Sequence, residues 1–233
     1  MSEDSAEKGK TWDDYWRDAS SSRGVYGVIA WFYRRFLIAP MLRRYVVKNF
    51  RDEAGRQYLH AGCGSGQSDS LIPFTKATFV YVDLSSEALA LAKQQQRRNP
   101  AQYIQGDLFR LPFPDQTFDG FWNLGVMEHF SEEDVRCVFR ELRRVLKDDG
   151  VGLVFWPPRY GLSVFVLGMA HFVMNKILRL GISLHAAEPT KYRSRLWAES
   201  LLEPEGLIIK DARFGFRDAL TYVRLCIVRG GRK

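Results

Sequence analysis

Hydrophobic positions along the chain follow two alternating rhythms. Contiguous runs at Gln57-Tyr58-Leu59-His60-Ala61, Thr78-Phe79-Val80-Tyr81-Val82-Asp83, Tyr103-Ile104, Phe118 to Trp122 and Val151 to Trp156 are rich in β-branched and aromatic residues and read as buried strands. Between them, apolar residues recur at helical spacing. Ser85 is placed to cap a helix through Ala88, Leu89, Leu91 and Ala92 toward Arg98, stopped by Asn99-Pro100. Ser131 and Asp134 have capping-box spacing ahead of Val135, Val138, Phe139, Leu142, Val145 and Leu146. That helix is expected to end at Gly150, where glycine can turn left-handed. Leu196 to Leu202 predicts another helix, and Leu207-Ile208-Ile209 and Leu220 to Val228 two more strands. The alternation predicts an α/β fold: a doubly wound, mostly parallel, seven-stranded sheet with helices on both faces. Ligands of such sheets bind at the carboxyl ends of the strands.

Two segments fall outside this alternation. Val25, Val28, Ile29, Phe32 and Phe36 lie at helical spacing within residues 25–50, beside Arg34-Arg35 and Arg43-Arg44. Gly161 to Asn175 holds no Lys, Arg, Asp or Glu in 15 residues. A bilayer-spanning helix needs about 20, and Lys176 and Arg179 interrupt the run, so no transmembrane helix is expected. Either the two segments fold as a lid over the strand ends, or Trp31, Phe32, Tyr33 and Arg34-Arg35 form an interfacial helix beside anionic lipid. The two readings are compatible. Trp12, Tyr15 and Trp16 make a third aromatic group, a cofactor cover or a core staple. The expected organisation is an N-terminal helical cap over residues 1–56 and an α/β domain over 57–233. An apolar insertion at about 159–193, after strand five, serves as the lid.

Composition narrows the function classes. With 233 residues, 46% hydrophobic and 26% charged, the chain is neither disordered nor collagen-like. Cys63, Cys137 and Cys226 show no metal-ligand spacing or disulfide framework, so no metal site is expected. A reducing, cytoplasmic compartment is expected, with no signal peptide in the acidic Met1-Ser2-Glu3-Asp4 start. The net charge of +7 is uneven: −3 over residues 1–22, +6 over 23–56, −3 over 57–158 and +7 over 159–233. Two basic segments therefore flank an acidic middle, and they either attract an anionic partner or simply solvate surface helices.

The chemistry concentrates after the first strand, in His60-Ala61-Gly62-Cys63-Gly64-Ser65-Gly66. Glycines there let the backbone approach a ligand, or merely make a turn. A dinucleotide fingerprint requires Gly-x-Gly-x-x-Gly, but Gln67 and Asp69 stand where the last glycine would fall, and no Walker-type Gly-x-x-x-x-Gly-Lys exists. The tight Gly-x-Gly-x-Gly loop is followed by Asp83 at the end of the second strand, 21 residues beyond Gly62, where a carboxylate can accept both hydrogens of a ribose diol. Asp107 follows the third strand. The constellation suits a nucleoside without phosphates.

Here the sequence resembles the class I S-adenosylmethionine-dependent methyltransferases, with their Rossmann-like fold, and among them the small-molecule group that includes the quinone-biosynthesis enzymes. Tyr58 to Gly66 resembles the family's first motif, Asp83-Leu84-Ser85 the second, and Gly106-Asp107-Leu108 the third, with Leu111-Pro112-Phe113 and Phe118-Asp119 following it. Asn123 with Glu128-His129 resembles the turn after strand four, and Glu141 to Gly150 the helix before strand five. The resemblance implies S-adenosyl-L-methionine as cofactor. Gly62, Cys63, Gly64 and Gly66 would line the methionine and ribose, Asp83 and Leu84 the ribose, Asp107 the adenine amino group, Leu108 the adenine face and Asn123 the methionine side. The family usually carries an acidic residue where this chain has His60, which reads most simply as a satisfied histidine at a strand end. Methyl transfer requires alignment and exclusion of water, with a general base only for a protonated nucleophile. His129 is the catalytic candidate; otherwise it shapes the pocket wall or caps the next helix. Tyr15 and Trp16 are the candidate substrate contacts. Asn123-Leu124-Gly125-Val126 lacks the Asn/Asp-Pro-Pro-aromatic motif of enzymes that methylate base amines, and nucleic acid is not the expected partner. The reading is methyl transfer to a small, hydrophobic or lipid-like acceptor, with peripheral contact to an anionic membrane surface. A non-catalytic cofactor-binding module and an RNA methyltransferase are the alternatives.

Overall fold

In the computed structural model, which describes residues 11–17, 31–96, 100–159, 189–218 and 220–230, seven strands form one sheet. They are β1 (Gln57–Ala61), β2 (Thr78–Asp83), β3 (Ala101–Gln105), β4 (Phe118–Leu124), β5 (Leu146–Trp156), β6 (Leu207–Arg213) and β7 (Val223–Arg229). Their order is β3-β2-β1-β4-β5-β7-β6. β1 to β5 are mutually parallel, and β7 runs antiparallel to both β5 and β6. The order reverses between β1 and β4, so the crevice above β1 is the topological switch point where such sheets bind ligands.

The helices are α1 (residues 11–17), α2 (Ala39–Asn49), α3 (Ser86–Gln95), α4 (Glu132–Val145) and α5 (Arg195–Leu202). A π-helical turn, Arg34–Ile38, leads into α2. Ser85 caps α3 by accepting from the Ala88 N–H, and Ser131 with Asp134 forms the complete capping box of α4. The central strands β1, β2 and β4 are buried along nearly their whole length because each side meets a helix layer, whereas the edge strand β3 exposes Gln102 and Gln105. Val135, Val138, Phe139 and Leu142 of α4, with Leu201 and Leu202 of α5, pack on one face against Leu59, Val80, Phe121 and Val154. On the other, Met41, Leu42, Tyr45 and Val46 of α2 and Leu89 and Ala92 of α3 pack on Phe79, Tyr81, Trp122 and Phe155. Each such buried side chain contributes about 1.5–3 kcal/mol of transfer free energy, so α2 is part of the core that holds the sheet.

Several element ends differ from the sequence expectation. α4 stops at Val145, not at Gly150, because buried Leu146 already enters β5 and pairs with Phe118. The register then slips between Phe118 and Gly120, and residues 147–150 form the irregularity. Gly150 has no positive φ; it is needed because a Cβ would lie 2.5 Å from Leu146 Cδ1 and 3.0 Å from the Lys147 carbonyl oxygen. α3 ends at Gln95, where Gln96 turns its side chain to donate to the Gly66 carbonyl at 2.5 Å. β7 begins at Val223, since Leu220 takes a φ of 49° in a turn closed by the bond from Leu220 N–H to Gly215 oxygen. The insertion at residues 160–188, with His171 and His185, lies outside the described residues, as do Val25, Val28 and Ile29. Among the described residues, no helix is long and apolar enough to cross a membrane.

Candidate active site

β1 delivers the glycine loop directly into the switch-point crevice. Gly62 and Cys63 both donate N–H to the Val82 oxygen of β2, at 2.8 and 3.0 Å, and Gly66 closes the turn on the Cys63 oxygen at 2.9 Å. Gly62, Gly64 and Gly66 have φ of 68°, 51° and 63°, left-handed values that a side chain would strain. Cys63 is buried, and desolvation with nearby Asp83 and Asp69 pushes its thiol well above the ordinary range, so it is packing, not a nucleophile.

Asp83, at the end of β2, accepts from Gly64 N–H at 2.7 Å and from Ser85 N–H at 3.0 Å. Burial raises its pKa, outweighing these bonds and the nearby His60, which pull it down. Leu84 beside it is half-buried, and its carbonyl accepts from Gln105 Nε2. Asp107 accepts from Phe109 N–H at 2.9 Å, folding the turn that buries Leu108. Leu108 Cδ1 lies 3.5 Å from the position of a Cβ on Gly62, so the ends of β3 and β1 converge. α4 braces this turn: Glu141 accepts from Leu111 N–H, and Arg144 holds Glu141 and donates to the Leu111 and Phe113 carbonyls. Asn123, fully buried near the end of β4, donates to the Ala61 oxygen at 2.7 Å, while its Oδ1 has no hydrogen-bond partner among the described residues. A buried orphan acceptor costs about 1–3 kcal/mol, and it stands beside β1 at the loop.

α1 covers this end of the sheet. Asp13 accepts from Ser85 Oγ at 2.5 Å and from Glu87 N–H at 3.2 Å, docking α1 on the amino end of α3. Trp16 lies on the loop: a Cβ on Gly64 would be 2.6 Å from its ring. The Trp12 ring meets His129 edge-on at 5.3 Å between centroids. His129, half-buried, ends the 3-10 turn Met127–His129 that follows β4. Of the two expected substrate contacts, Trp16 meets the loop, and Tyr15 packs edge-on against Trp12 and Trp16 and is 41% exposed. Trp12 at His129 and Asp13 as the tether carry no sequence signal beyond their neighbourhood with Tyr15 and Trp16, because the contacts span about seventy or more residues.

Two residues of the expected motifs serve structure. His60 Nδ1 lies 2.7 Å from Asp69 Oδ2, both buried, so His60 is a satisfied strand-end histidine and Asp69 of the 3-10 turn Gln67–Leu71 brings a carboxyl group beneath the loop. Asp119 lies at the opposite end of the sheet from the glycine loop. There it accepts from Arg56, Lys147 and the Gln57 N–H at 2.7, 2.9 and 2.9 Å, tying the starts of β1, β4 and β5.

The left-handed glycines, the ribose-facing type of carboxylate and the buried, unpartnered Asn123 Oδ1 fit an adenosyl amino-acid cofactor better than a dinucleotide, whose pyrophosphate needs a different glycine spacing. Comparison with known proteins agrees. Residues 59–154 match the family model described as a methyltransferase domain. The chain is 30% identical over 151 residues to a fatty-acid O-methyltransferase of Mycolicibacterium smegmatis, covering 61% of this chain and 54% of that one. It is 28% identical over 118 residues to a sterol 24-C-methyltransferase of Gibberella zeae, covering 48% and 30%. The chain thus spans about half or less of the length of these curated relatives. Magnesium protoporphyrin IX methyltransferase of Synechocystis PCC 6803, solved with bound S-adenosylhomocysteine, shares the fold with a TM-score of 0.65 and 18% identity, over 95% of this chain and 96% of that one. Residues 59–154 thus match a methyltransferase domain, on the fold of a methyltransferase solved with S-adenosylhomocysteine.

Proposed function

We propose that this protein transfers a methyl group from S-adenosylmethionine to a small, hydrophobic, lipid-like acceptor, working in the cytoplasm in peripheral contact with an anionic membrane surface. The observation that carries the reading is the convergence of Gly62, Gly64, Gly66, Asp83 and the unpartnered Asn123 Oδ1 at one end of the sheet, beneath the aromatic residues of α1. Asp83 would accept from both ribose hydroxyls, Asp107 from the adenine amino group, and Asn123 Oδ1 from the ammonium of the methionine portion, with Leu108 against the adenine face. Bound there, the cofactor supplies an electrophilic methyl group on a sulfonium with a neutral leaving group. The chain then has to align the acceptor in line with that methyl and keep water out. Trp12 and Trp16 supply apolar cover, and the fatty-acid and sterol names of two relatives support an apolar acceptor.

His129 is the group placed to take a proton from a hydroxyl acceptor, held by its packing on Trp12. Calorimetry with S-adenosylhomocysteine and NAD, followed by turnover of labelled S-adenosylmethionine with a lipid extract, tests the function; binding of NAD alone would overturn it. His129→Gln should lower kcat by about a hundredfold or more while leaving the KM for S-adenosylmethionine unchanged. A loss under tenfold would reduce His129 to a pocket wall.

A further inference from the structure

We infer that the helical segment from Trp31 to Lys48 is the face on which the protein docks to an anionic lipid bilayer, with the cations of α2 receiving headgroup phosphates and the aromatic residues before it entering the interface. The inference rests on the peripheral contact proposed above and assigns it to named residues.

Two features of the segment carry it. Trp31, Phe32, Phe36 and Leu37 are 48, 51, 58 and 46% exposed, although they are large and apolar. They form a contiguous patch: Phe32 stacks on Phe36 at 5.5 Å, and Trp31 meets both edge-on at 5.0 and 6.1 Å. Isolated exposed apolar residues are ordinary, but a clustered aromatic patch marks an interaction surface. Beside it lies charge of one sign. From Trp31 to Arg51 the chain has six Arg or Lys residues and no Asp or Glu. Arg43, Arg44 and Lys48 border an open groove of about 580 Å³ with Pro40, Val47 and Leu71. An apolar wedge next to a groove with three cations and, among the described lining residues, no acid complements a bilayer surface in both hydrophobicity and charge. A nucleic-acid duplex would be matched by the cations but would leave the aromatic wedge without a partner.

The location gives the surface a use. The Trp31 carbonyl accepts from Gln67 Nε2 at 3.4 Å, and Gln67 directly follows Gly66 of the cofactor loop. The wedge therefore lies at the rim of the switch-point crevice. Docking there would bring the mouth of the site to the lipid, so that an apolar acceptor could pass from bilayer to site without crossing water.

Co-sedimentation of the full chain with phosphatidylcholine vesicles, and with vesicles also containing phosphatidylglycerol, tests the assignment. Wild type should bind the anionic vesicles and release them as salt rises, with little binding to phosphatidylcholine alone. Since a basic residue near such a surface is worth roughly fivefold in partitioning, Arg43→Gln/Arg44→Gln/Lys48→Gln should weaken binding by on the order of a hundredfold. Phe32→Ser/Phe36→Ser should also weaken it at least tenfold. All five positions bar none are at the surface or its edge, so melting temperature and S-adenosylhomocysteine affinity should stay at wild-type values. Undiminished vesicle binding by both variants would overturn this face while leaving a peripheral contact elsewhere. Failure of wild type to bind anionic vesicles, or a preference for RNA over them at the same salt, would overturn both, without touching the methyltransferase reading.

Discussion

Asp83 and Asp119 are both largely withdrawn from water, and both end or begin a strand of the same sheet, yet their surroundings differ. Asp119 is met by Arg56, Lys147 and one backbone N–H, and although burial pushes its pKa up, these partners hold it below the ordinary value of 3.8. Asp83 is met by backbone N–H groups of the cofactor loop, and burial wins, raising its pKa above the same value. The amino end of the sheet carries charges that are already neutralised, and the carboxyl end keeps an acceptor whose best partners are still to come. Stability is therefore concentrated at one end and binding capacity at the other.

The largest effect should come from breaking the first arrangement. Asp119→Ala strips two cations and the Gln57 N–H of their acceptor, and urea unfolding should show a loss of about 3 kcal/mol. Arg56 and Lys147 are about one-third exposed and regain water, which keeps the loss below that of a fully buried pair. Cofactor affinity measured by calorimetry should not change; a parallel loss of affinity would mean that the two ends are coupled.

Asp83→Ala should do the reverse. Losing two charge-assisted hydrogen bonds to a ribose diol costs about 2–3 kcal/mol, a rise of roughly thirty- to more than a hundredfold in Kd. Its urea midpoint should fall less than that of Asp119→Ala, because removing a buried charge offsets the loss of the bonds from Gly64 and Ser85 N–H. A carboxyl whose pKa is raised in the fold contributes stability only at acid pH and loses it as pH rises through the folded pKa, so at neutral pH its charge is a net cost.

Acid titration sharpens the contrast without a mutation. Asp119, with its lowered pKa, gives stability that is complete above about 3.8 and is lost only as pH falls through its lower folded value. Asp83 takes up its proton at higher pH, and a protonated carboxyl can no longer accept from both hydroxyls. Lowering the pH should therefore abolish S-adenosylhomocysteine binding before circular dichroism reports unfolding. Coincident loss of both signals would contradict the assigned difference between the two groups.

The smallest expected effect is at Asn123. Asn123→Ala removes the bond to the Ala61 carbonyl and should cost about 1 kcal/mol of stability. It also removes the unpartnered acceptor from the site, so Kd for the amino-acid end of the cofactor should rise several-fold, while adenosine alone should bind as before.

Local pattern determined most of this fold on its own. β1 and β2 run over the residues that their apolar runs mark, and the Ser85 and Ser131 caps hold, because burial on both faces and capping depend on residues close in sequence. The glycine loop, Asp83, Asp107 and Asn123 were legible as candidates for the same reason: each lies at or just beyond the carboxyl end of a strand, and parallel strands bring those ends together. Tertiary structure alone decided what crosses the sheet. It ended α4 at Val145, because Leu146 finds Phe118 as a partner, which no helix periodicity records. It gave His60 its carboxylate from Asp69, drew Arg56 and Lys147 onto Asp119, and set Trp16 on Gly64 and Trp12 on His129. These are contacts of specific side chains whose positions depend on the packing of whole elements, and a sequence read along the chain holds no term for that distance.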